Sequence, residues 1–167
     1  ALVVSGPEGS YRLPARQLIL ALGHSARDTV EMLYDRGLSM EAKPFAVGVR
    51  IEHLQSHIDA VQYKEYAGHP ALPVSTYKLS CHLPGGRSVF SFCVCPGGEV
   101  VAAASERERT VTNGMSEYAR DGENINGGLL VNVTPEDFGS GHPLAGIAFQ
   151  RRLGGGGYRL GGGCTGA

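Results

Sequence analysis

The chain has 167 residues, of which 42% are hydrophobic and 19% charged, as is typical of a soluble globular protein with one or two compact units. Its formal net charge of −1 gives no electrostatic reason to expect a nucleic acid or an anionic membrane as partner. No apolar run approaches the roughly 18 residues that span a bilayer, and no signal peptide is visible, so we expect a cytoplasmic protein.

The start of the chain indicates that it is an interior fragment of a longer protein. Ala1 stands inside a strand-like stretch, and no initiator Met precedes it. The remainder of the parent chain is therefore the expected macromolecular partner.

The first part of the chain predicts a hairpin, a strand and a helix. The hairpin joins Leu2–Ser5 to Tyr11–Leu13 through a Gly-Pro turn. The apolar run Gln17–Leu22 predicts a buried strand, and the period of the next apolar residues predicts a helix over Ala26–Arg36. This strand–turn–helix unit is typical of one half of a nucleotide-binding sheet.

The turn before this helix is the first candidate ligand site. Ser25 is the expected N-cap, Asp28 completes a capping-box pattern, and Gly37 ends the helix. A tight turn into a helix presents free backbone N–H groups to a phosphate or a cofactor edge. The candidate residues are Gly23, His24, Ser25, Arg27 and Asp28. The alternative is an ordinary turn with a surface arginine.

The middle of the chain predicts antiparallel β structure. A strand over Phe45–Ile51 precedes a short helix with Leu54, Ile58 and Val61 on one face. Alternating apolar and polar residues, separated by Pro-Gly turns, then predict further strands. These are Tyr77–Leu83, Ser88–Cys95, Glu99–Ala104 (pairing back on Ser88–Cys95), Thr110–Thr112 and Leu129–Val133.

The last part of the chain predicts helix followed by an unordered tail. Thr134 caps a helical turn that has Pro135 at its first position, and a helix is expected over Leu144–Leu153. The segments Gly154–Gly157 and Gly161–Gly163 are too rich in glycine to order themselves. The predicted fold class is α+β.

The four cysteines lack the spacing of a zinc site or a dense disulfide framework, so reduced thiols are expected. They are Cys81, Cys93, Cys95 and Cys164. Strand alternation places Cys93 and Cys95 on the face of Ser91. Cys81 and Cys93 are interpreted as small packing residues. Cys95, beside a glycine turn, is either another such residue or an exposed redox or substrate-positioning thiol.

Two polar loops are further candidates. One contains Pro96, Gly97 and Gly98, and the other contains Asn113, Gly114 and Met115 followed by the polar stretch Arg120–Asn124. Each has a structural alternative. The first would be a tight hairpin turn, and the second a hairpin or surface loop, because Asn-Gly is the strongest short turn signal.

Other polar residues predict no chemistry. His53 and His57 are four apart on a predicted helix, but no third ligand is evident, so no metal site is expected. The stretch Glu106–Arg109 alternates in sign and is interpreted as a solvated turn. The sequence has no G-x-S-x-G element that would support a Ser–His–Asp triad.

Five segments together carry a family resemblance. They are Leu20–Thr29, Lys43–His53, Phe92–Gly98, Thr112–Ser116 and Ala119–Asn124. In order and spacing they are similar to segments of the bacterial FAD-dependent dehydrogenase-like flavoproteins, a group of uncharacterised NAD(P)/FAD-dependent oxidoreductases. The resemblance extends over residues 18–150.

The resemblance implies a Rossmann-like FAD domain that is split by a β-rich insertion covering the flavin. Residues 1–42 would be a partial segment of the FAD-binding domain, 43–133 the β-rich insertion or substrate domain, and 134–167 a helical segment with a Gly-rich tail. The turn at Gly23 to Asp28 would line the FAD site. The two polar loops would face the flavin or the substrate, with Cys95 as the candidate catalytic residue.

The resemblance also implies a limit, because members of the group carry, near their N-terminus, a G-x-G-x-x-G fingerprint for the FAD pyrophosphate that is missing here, and the Gly-rich tail is not expected to replace it because it lacks the preceding strand and the following helix. We therefore expect an FAD-dependent oxidoreductase in the full-length parent, with NAD(P)H as electron donor and an unknown small-molecule substrate. The isolated chain should be inactive and bind FAD weakly or not at all. The alternatives are a non-catalytic α+β binding module and a thiol-dependent enzyme that uses Cys95.

Overall fold

The computed structural model describes residues 1–163. The chain divides into two compact units, Ala1–Leu38 and Ser39–Ala167, each considered by itself below. Both units combine helix with antiparallel strands, which confirms the α+β class. Within residues 1–163, no helix has the length and apolar character needed to cross a membrane.

The first unit begins with the predicted hairpin. Strands β1 (Leu2–Gly6) and β2 (Gly9–Leu13) pair antiparallel, with Leu2 opposite Leu13 and Gly6 opposite Gly9. Gly9 has a φ of 117°, which glycine adopts without the steric cost that a Cβ would impose. The loop chemistry of the sequence therefore predicted this turn correctly.

The predicted buried strand over Gln17–Leu22 is wrong for this chain. These residues form no strand and are all exposed; Ile19 is 89% and Leu18 56% exposed. A strand needs a neighbour for its backbone hydrogen bonds, and none of the three sheets in the described part of the chain includes this run. The strand–turn–helix unit is consequently reduced to a turn and a helix.

Helix α1 (Arg27–Asp35) lies where the sequence predicted a helix, but its N-cap differs. The N-cap residue is Ala26, and no side chain caps the helix. Ser25 contributes only its backbone carbonyl, which accepts the N–H of Arg27 at 2.9 Å. The predicted capping box of Ser25 and Asp28 is therefore wrong.

The C-terminus of α1 ends as predicted at Gly37, whose φ is 82°. The Gly37 N–H donates to the carbonyl of Tyr34 at 2.8 Å, and the Leu38 N–H donates to the carbonyl of Leu33 at 3.1 Å. This pair of hydrogen bonds is the Schellman arrangement, which satisfies helix carbonyls that would otherwise lack donors.

The second unit contains a four-stranded antiparallel sheet and a separate two-stranded ribbon. In chain order its elements are β3 (Phe45–Leu54), α2 (Gln55–Tyr63), β4 (Ser80–His82), β5 (Ser88–Cys95), β6 (Gly98–Ala102), β7 (Thr112–Ser116), β8 (Asn124–Val133) and α3 (Ala145–Leu160). The strand order in the sheet is β3-β8-β5-β4, so β8 lies between β3 and β5. The predicted strands at Phe45 and Ser88 and the predicted helix at α2 are confirmed.

Two strands of this sheet differ in length from the prediction. Strand β4 covers only part of Tyr77–Leu83 and lies at the sheet edge. Leu79, just before it, is 54% exposed. Strand β8 begins at Asn124 rather than Leu129. Its first five residues contain two asparagines and two glycines beside Ile125, and residues 125–128 are buried between β3 and β5.

The ribbon corrects the predicted pairing of Glu99–Ala104 with Ser88–Cys95. Strand β6 pairs with β7, with Gly98 opposite Ser116 and Val100 opposite Gly114. The turn at Pro96 thus carries the chain out of the sheet instead of folding it back onto β5. Asn113 and Gly114, a strong turn signal in sequence, lie inside a strand because this partner is available.

The helical part at the C-terminal end closes the main apolar core. A short helical turn, Pro135–Phe138, carries the predicted Thr134 cap in a complete capping box with Asp137. Helix α3 follows. Three aromatic rings pack between these elements and β3, with Phe45 and Phe138 stacked at 5.1 Å and Phe45 and Phe149 edge-on at 6.2 Å between centroids. Buried Val133 and Ala145 complete the cluster.

The predicted disorder of Gly154–Gly157 is wrong, because α3 runs through these residues to Leu160. Gly154 and Gly155 are buried. The segment before β7 packs on them, with the Thr110 N–H donating to the carbonyl of Gly154 at 3.0 Å. Tertiary contact supplies the stabilisation that the glycine-rich sequence lacks by itself. Cys164, the last of the four predicted thiols, lies outside the described residues.

The charged stretch Glu106–Arg109 is also more than a solvated turn. Glu106 accepts a hydrogen bond from Arg151 Nε at 2.9 Å and forms an ion pair with Arg151 Nη2 at 2.8 Å. Both of these side chains are about two-thirds buried, with relative exposures of 27% and 32%. The stretch therefore anchors the segment before β7 to α3.

Candidate functional site

The turn before α1 has an open left-handed glycine and an acidic helix start. Gly23 has a φ of 69° and no heavy atom within 4 Å of where a Cβ would lie. His24 Nδ1 lies 3.4 Å from the Ser25 hydroxyl oxygen. The Asp28 carboxylate accepts the N–H of Thr29 at 2.8 Å. A first-turn donor is thereby taken by a carboxylate, which makes this helix start a weaker phosphate site than a free N-terminus.

A bulge in β5 changes which way its cysteines face. Three residue steps from Phe92 to Cys95 lie opposite only two steps of β8, Gly128 to Asn126. Cys93 sits inside this bulge with a φ of 48°, in the left-handed region. The prediction that Cys95 shares the face of Ser91 is wrong, because the extra residue moves it to the face of Phe92.

Polar side chains converge on Cys95 from β3 and β8. We define the bulge cluster as Arg50, Cys93, Cys95, Gly114 and Asn126. Arg50 Nη1 donates to the Cys93 carbonyl at 3.1 Å and to Asn126 Oδ1 at 2.6 Å. Asn126 is fully buried. Gly114 of the ribbon fits over them, since a Cβ there would overlap Asn126 Oδ1 and Arg50 Nη1 and lie 2.9 Å from Cys95 Sγ.

The bulge cluster contains one formal charge, that of the Arg50 guanidinium. Arg50 is half-buried, its hydrogen-bond acceptors are neutral, and no carboxylate among the described residues lies within ion-pair distance of it. Burial raises the pKa of the Cys95 thiol, and the neighbouring Cys93 adds to the rise while the Arg50 charge opposes it. Cys95 is therefore a protonated thiol at neutral pH, which disfavours it as the attacking nucleophile.

The exposures of the cysteines differ from the prediction. Cys81 and Cys93 are both exposed and Cys95 is half-buried, so the first two are not packing residues. Cys81 lies on edge strand β4 and Cys93 protrudes at the bulge. These three cysteines of the described residues are free thiols.

A second polar group, centred on Gln55 at the start of α2, holds the turn between β5 and β6. The buried Gln55 side chain accepts the N–H of Gly97 at 3.0 Å and donates to Asp59 Oδ1 at 2.9 Å and to the Ser75 carbonyl at 3.0 Å. Asp59 also accepts from the Ser75 N–H at 2.9 Å. These bonds fix the turn relative to α2 and the loop before β4.

Protein backbone occupies the space beside the glycines of the predicted loops, where a side chain would otherwise lie. A Cβ on Gly97 would overlap the carbonyl of Arg120, and one on Gly98 would overlap the carbonyl of Met115. Pro96, Gly97, Gly98 and Gly114 are all buried, whereas Asn113 and Met115 are exposed. The structure therefore brings both loops together beside Cys95, but it uses their glycines for close packing of the chain.

The two histidines considered as metal ligands, His53 and His57, lie in different elements. His53 is in β3, not in the helix, and its ring stacks on Tyr77 at 5.6 Å between centroids. His57 is exposed on α2. Among residues 1–163, no group of three or more His, Cys, Asp or Glu side chains is placed to hold a metal ion.

Sequence reasoning missed three residues that organise this region: Arg50, Gln55 and Asn126. Arg50 did carry a signal, because it is a lone charge within the apolar strand Phe45–Ile51. Asn126 precedes a pair of glycines and an apolar run, which is a weaker signal. Nothing in the sequence distinguishes Gln55 from the exposed Gln62 of the same helix.

The fold defines the class of the second unit as an antiparallel α+β domain with a tightly packed polar cluster at a bulge. Residues 44–167 match the family described as FAD-dependent protein, C-terminal domain-like. The chain belongs to this family. The resemblance found in the sequence is thus confirmed at the level of FAD-dependent proteins.

A curated relative supports the same assignment. An uncharacterised protein of Clostridium beijerinckii is 49% identical over 164 residues, which is 98% of this chain. The chain spans only 30% of the length of that relative. Most of the relative therefore has no counterpart in these residues.

The described residues meet only part of what FAD requires. Gly23 offers open space, and the Asp28 carboxylate is an acceptor of the kind that binds ribose hydroxyls. The glycines at 97, 98 and 114 offer no cradle for a phosphate, because backbone and side-chain atoms of the protein occupy the space beside them. These residues therefore fit an edge of an FAD site and not its pyrophosphate grip, and we derive no chemical step through the flavin.

Proposed function

We propose that this chain is part of an FAD-dependent oxidoreductase, in which it lies against a flavin that other residues of a longer parent chain bind. The carrying observation is the match of residues 44–167 to the family of FAD-dependent proteins. In the parent, FAD would supply the redox chemistry, and the protein would orient it and restrict access. NAD(P)H is the proposed electron donor, and a small molecule the proposed substrate.

The exposed run Gln17–Leu22 supports a role for the first unit in the FAD-binding domain. Its apolar side chains are exposed in this chain, and its backbone lacks a strand partner in the sheets described. In the longer parent this run would join a Rossmann-like sheet as a strand leading into α1. Gly23, His24, Ser25, Arg27 and Asp28 would then line the FAD site, as proposed from the sequence.

In the second unit, the residues proposed to face flavin or substrate are the exposed ones. Asn113 and Met115 point outward from the ribbon, with Met115 55% exposed. Pro96, Gly97, Gly98 and Gly114 would act indirectly, by setting the position of that ribbon. Division of the parent at residues 1–42, 43–133 and 134–167 remains part of this proposal.

The direct test uses the Clostridium beijerinckii relative, because it contains the counterpart of nearly the whole chain within a protein about three times as long. The purified protein should show the two visible absorption bands of an oxidised flavin, and heat should release FAD in about a one-to-one ratio. A protein that neither retains nor takes up FAD would contradict the proposal.

The electron donor is tested separately on the same protein. Anaerobic addition of NADH or NADPH should bleach the flavin absorbance, with dithionite as the control that shows full reduction. Bleaching by dithionite alone would remove NAD(P)H from the proposal and leave the FAD assignment standing.

A further inference from the structure

The bulge in β5 shortens the strand at two neighbouring thiols, Cys93 and Cys95. In a regular strand, Cα atoms two residues apart are separated by about 6.7 Å, close to the upper limit of about 6.8 Å for a disulfide. At the bulge, the three steps from Phe92 to Cys95 occupy the length of two steps of β8. The backbone around Cys93 and Cys95 is therefore compressed relative to a regular strand, and Cys95 Sγ lies 3.5 Å from the Cys93 carbonyl oxygen.

The environments of the two thiols suit different roles. Cys93 is exposed at the bulge, and its carbonyl accepts hydrogen bonds from both Arg50 Nη1, at 3.1 Å, and Cys95 Sγ, at 3.5 Å. Cys95 is half-buried under Gly114. The Cys95 side chain thus folds back onto the backbone of Cys93, two residues earlier in the chain.

We propose that Cys93 and Cys95 form a reversible dithiol–disulfide pair that exchanges with low-molecular-weight disulfides, with Cys93 as the attacking thiol and Cys95 as the resolving thiol. This inference goes beyond the proposed function, because it requires no flavin. It also differs from the sequence-based hypothesis that Cys95 is the nucleophile, since Cys95 is the less accessible of the two.

The exchange balances in two steps. The Cys93 thiolate attacks one sulfur of the small disulfide, whose S–S bond breaks, and one thiolate leaves while the other half stays bonded to Cys93. Cys95 then gives up its proton, and its sulfur attacks the Cys93 sulfur and expels the second half. The small disulfide is reduced to two thiols, which take up the two protons lost by the cysteines, and the pair is oxidised to an intramolecular disulfide.

The first test needs no substitution. The full chain is incubated with oxidised glutathione under native conditions, alkylated and cut with trypsin. Cleavage after Arg87 and Arg107 gives one peptide that contains Cys93 and Cys95 and no other cysteine. This peptide should be lighter by two hydrogens and carry no glutathione or alkyl group. Retained glutathione on either residue, or a disulfide that forms no faster than in concentrated guanidinium, would overturn the proposal.

The second test compares matched pairs of thiols. The variant Cys81→Ser, Cys164→Ser keeps only Cys93 and Cys95, and it should form the internal disulfide. The control Cys95→Ser, Cys164→Ser keeps two exposed thiols on different strands, Cys81 and Cys93, and it should retain two glutathione adducts. A variant that keeps only Cys95 (Cys81→Ser, Cys93→Ser, Cys164→Ser) should react with oxidised glutathione roughly tenfold more slowly than one that keeps only Cys93 (Cys81→Ser, Cys95→Ser, Cys164→Ser), because Cys95 is half-buried and Cys93 is exposed. Equal rates would contradict the assigned roles.

Discussion

At the scale of single residues, buried polar side chains hold together segments that are distant in sequence. Gln55 connects α2 to the Gly97 turn and to Ser75, and Arg50 connects β3 to the bulge and to Asn126. A hydrogen bond contributes modestly to stability, but a buried group left without its partner costs more. Such residues should therefore be sensitive to isosteric apolar replacement.

We expect Gln55→Leu to lower the free energy of unfolding by about 1–3 kcal/mol, because the Gly97 N–H and the Ser75 carbonyl would lose their buried partner. The matched control is Gln62→Leu on the same helix, where the side chain is exposed and makes one long hydrogen bond of 3.4 Å. Urea unfolding monitored by circular dichroism measures both. Equal stabilities of the two variants would contradict the structural role of Gln55.

The ion pair between Arg87 and Asp137 predicts a pH dependence. The hydrogen bonds from Arg87, followed by that from the Thr134 backbone, lower the pKa of Asp137 from its ordinary 3.8 to about 2. A depressed folded-state pKa contributes stability above pH 3.8, and this contribution is lost as the pH falls towards 2. Asp137→Asn should therefore lower the Tm at neutral pH, and its difference from the parent chain should shrink between these two pH values.

The control for this pH series is Glu117→Gln, which removes an exposed carboxylate outside the Asp137 network. It should shift the Tm little at any of these pH values. A difference for Asp137→Asn that stays constant down to the lower pH would show that charge plays no part in the stabilisation.

At the scale of elements, tertiary partners decide where local propensity is weak. Helix α3 continues through four glycines because the segment before β7 packs on its surface. Strand β7 contains an Asn-Gly pair because β6 lies beside it. The apolar run Gln17–Leu22 shows the converse, since strong strand propensity gives no strand where no partner is present.

Two glycines of α3 give a matched pair of substitutions. Gly156 has no heavy atom within 4 Å of the position that a Cβ would occupy, so Gly156→Ala should stabilise the chain by about 0.5–1 kcal/mol through helix propensity. A Cβ on Gly154 would lie 3.3 Å from the Thr110 carbonyl oxygen and 3.4 Å from Arg109 Cβ. Gly154→Ala should therefore lose that gain or destabilise the chain. Thermal unfolding measures both, and equal Tm increases would show that the segment before β7 does not press on α3.

At the scale of the whole molecule, the chain combines a unit of exposed apolar segments with a unit that has its own core. In the first unit, Leu18, Ile19, Leu20 and Leu22 are each at least 41% exposed. The second unit buries an aromatic cluster and a hydrogen-bonded polar network. The family match covers the second unit, and the proposed FAD edge lies in the first.

The isolated chain should bind FAD weakly or not at all. Residues 1–163 contain no G-x-G-x-x-G fingerprint, and the packed glycines at 97, 98 and 114 leave no cradle for the pyrophosphate. The visible spectrum after mixing with FAD and gel filtration should show no flavin with the protein, whereas the Clostridium relative treated in parallel should retain it. Stoichiometric flavin on this chain would contradict the expectation without affecting the family assignment.

Much of the fold was predictable from the sequence because local signals and tertiary structure agree there. Strands β3 and β5, helices α1 and α2 and the Thr134 cap all follow from periodicity and capping chemistry. The site was less predictable. The loops containing Gly97 and Gly114 were identified, but Arg50, Gln55 and Asn126 were not, since a polar residue in a strand or helix acquires its role only from its neighbours.

The sequence by itself determined the α+β class, most elements of the second unit and the resemblance to FAD-dependent proteins, because these depend on the order and spacing of residues along the chain. Only the tertiary structure decided the pairing of β6 with β7, the order in the glycine-rich helix and the bulge that turns Cys95 away from the face of Ser91. These features depend on backbone partners distant in sequence. A one-residue shift against β8 reverses the face of a side chain without changing any local pattern.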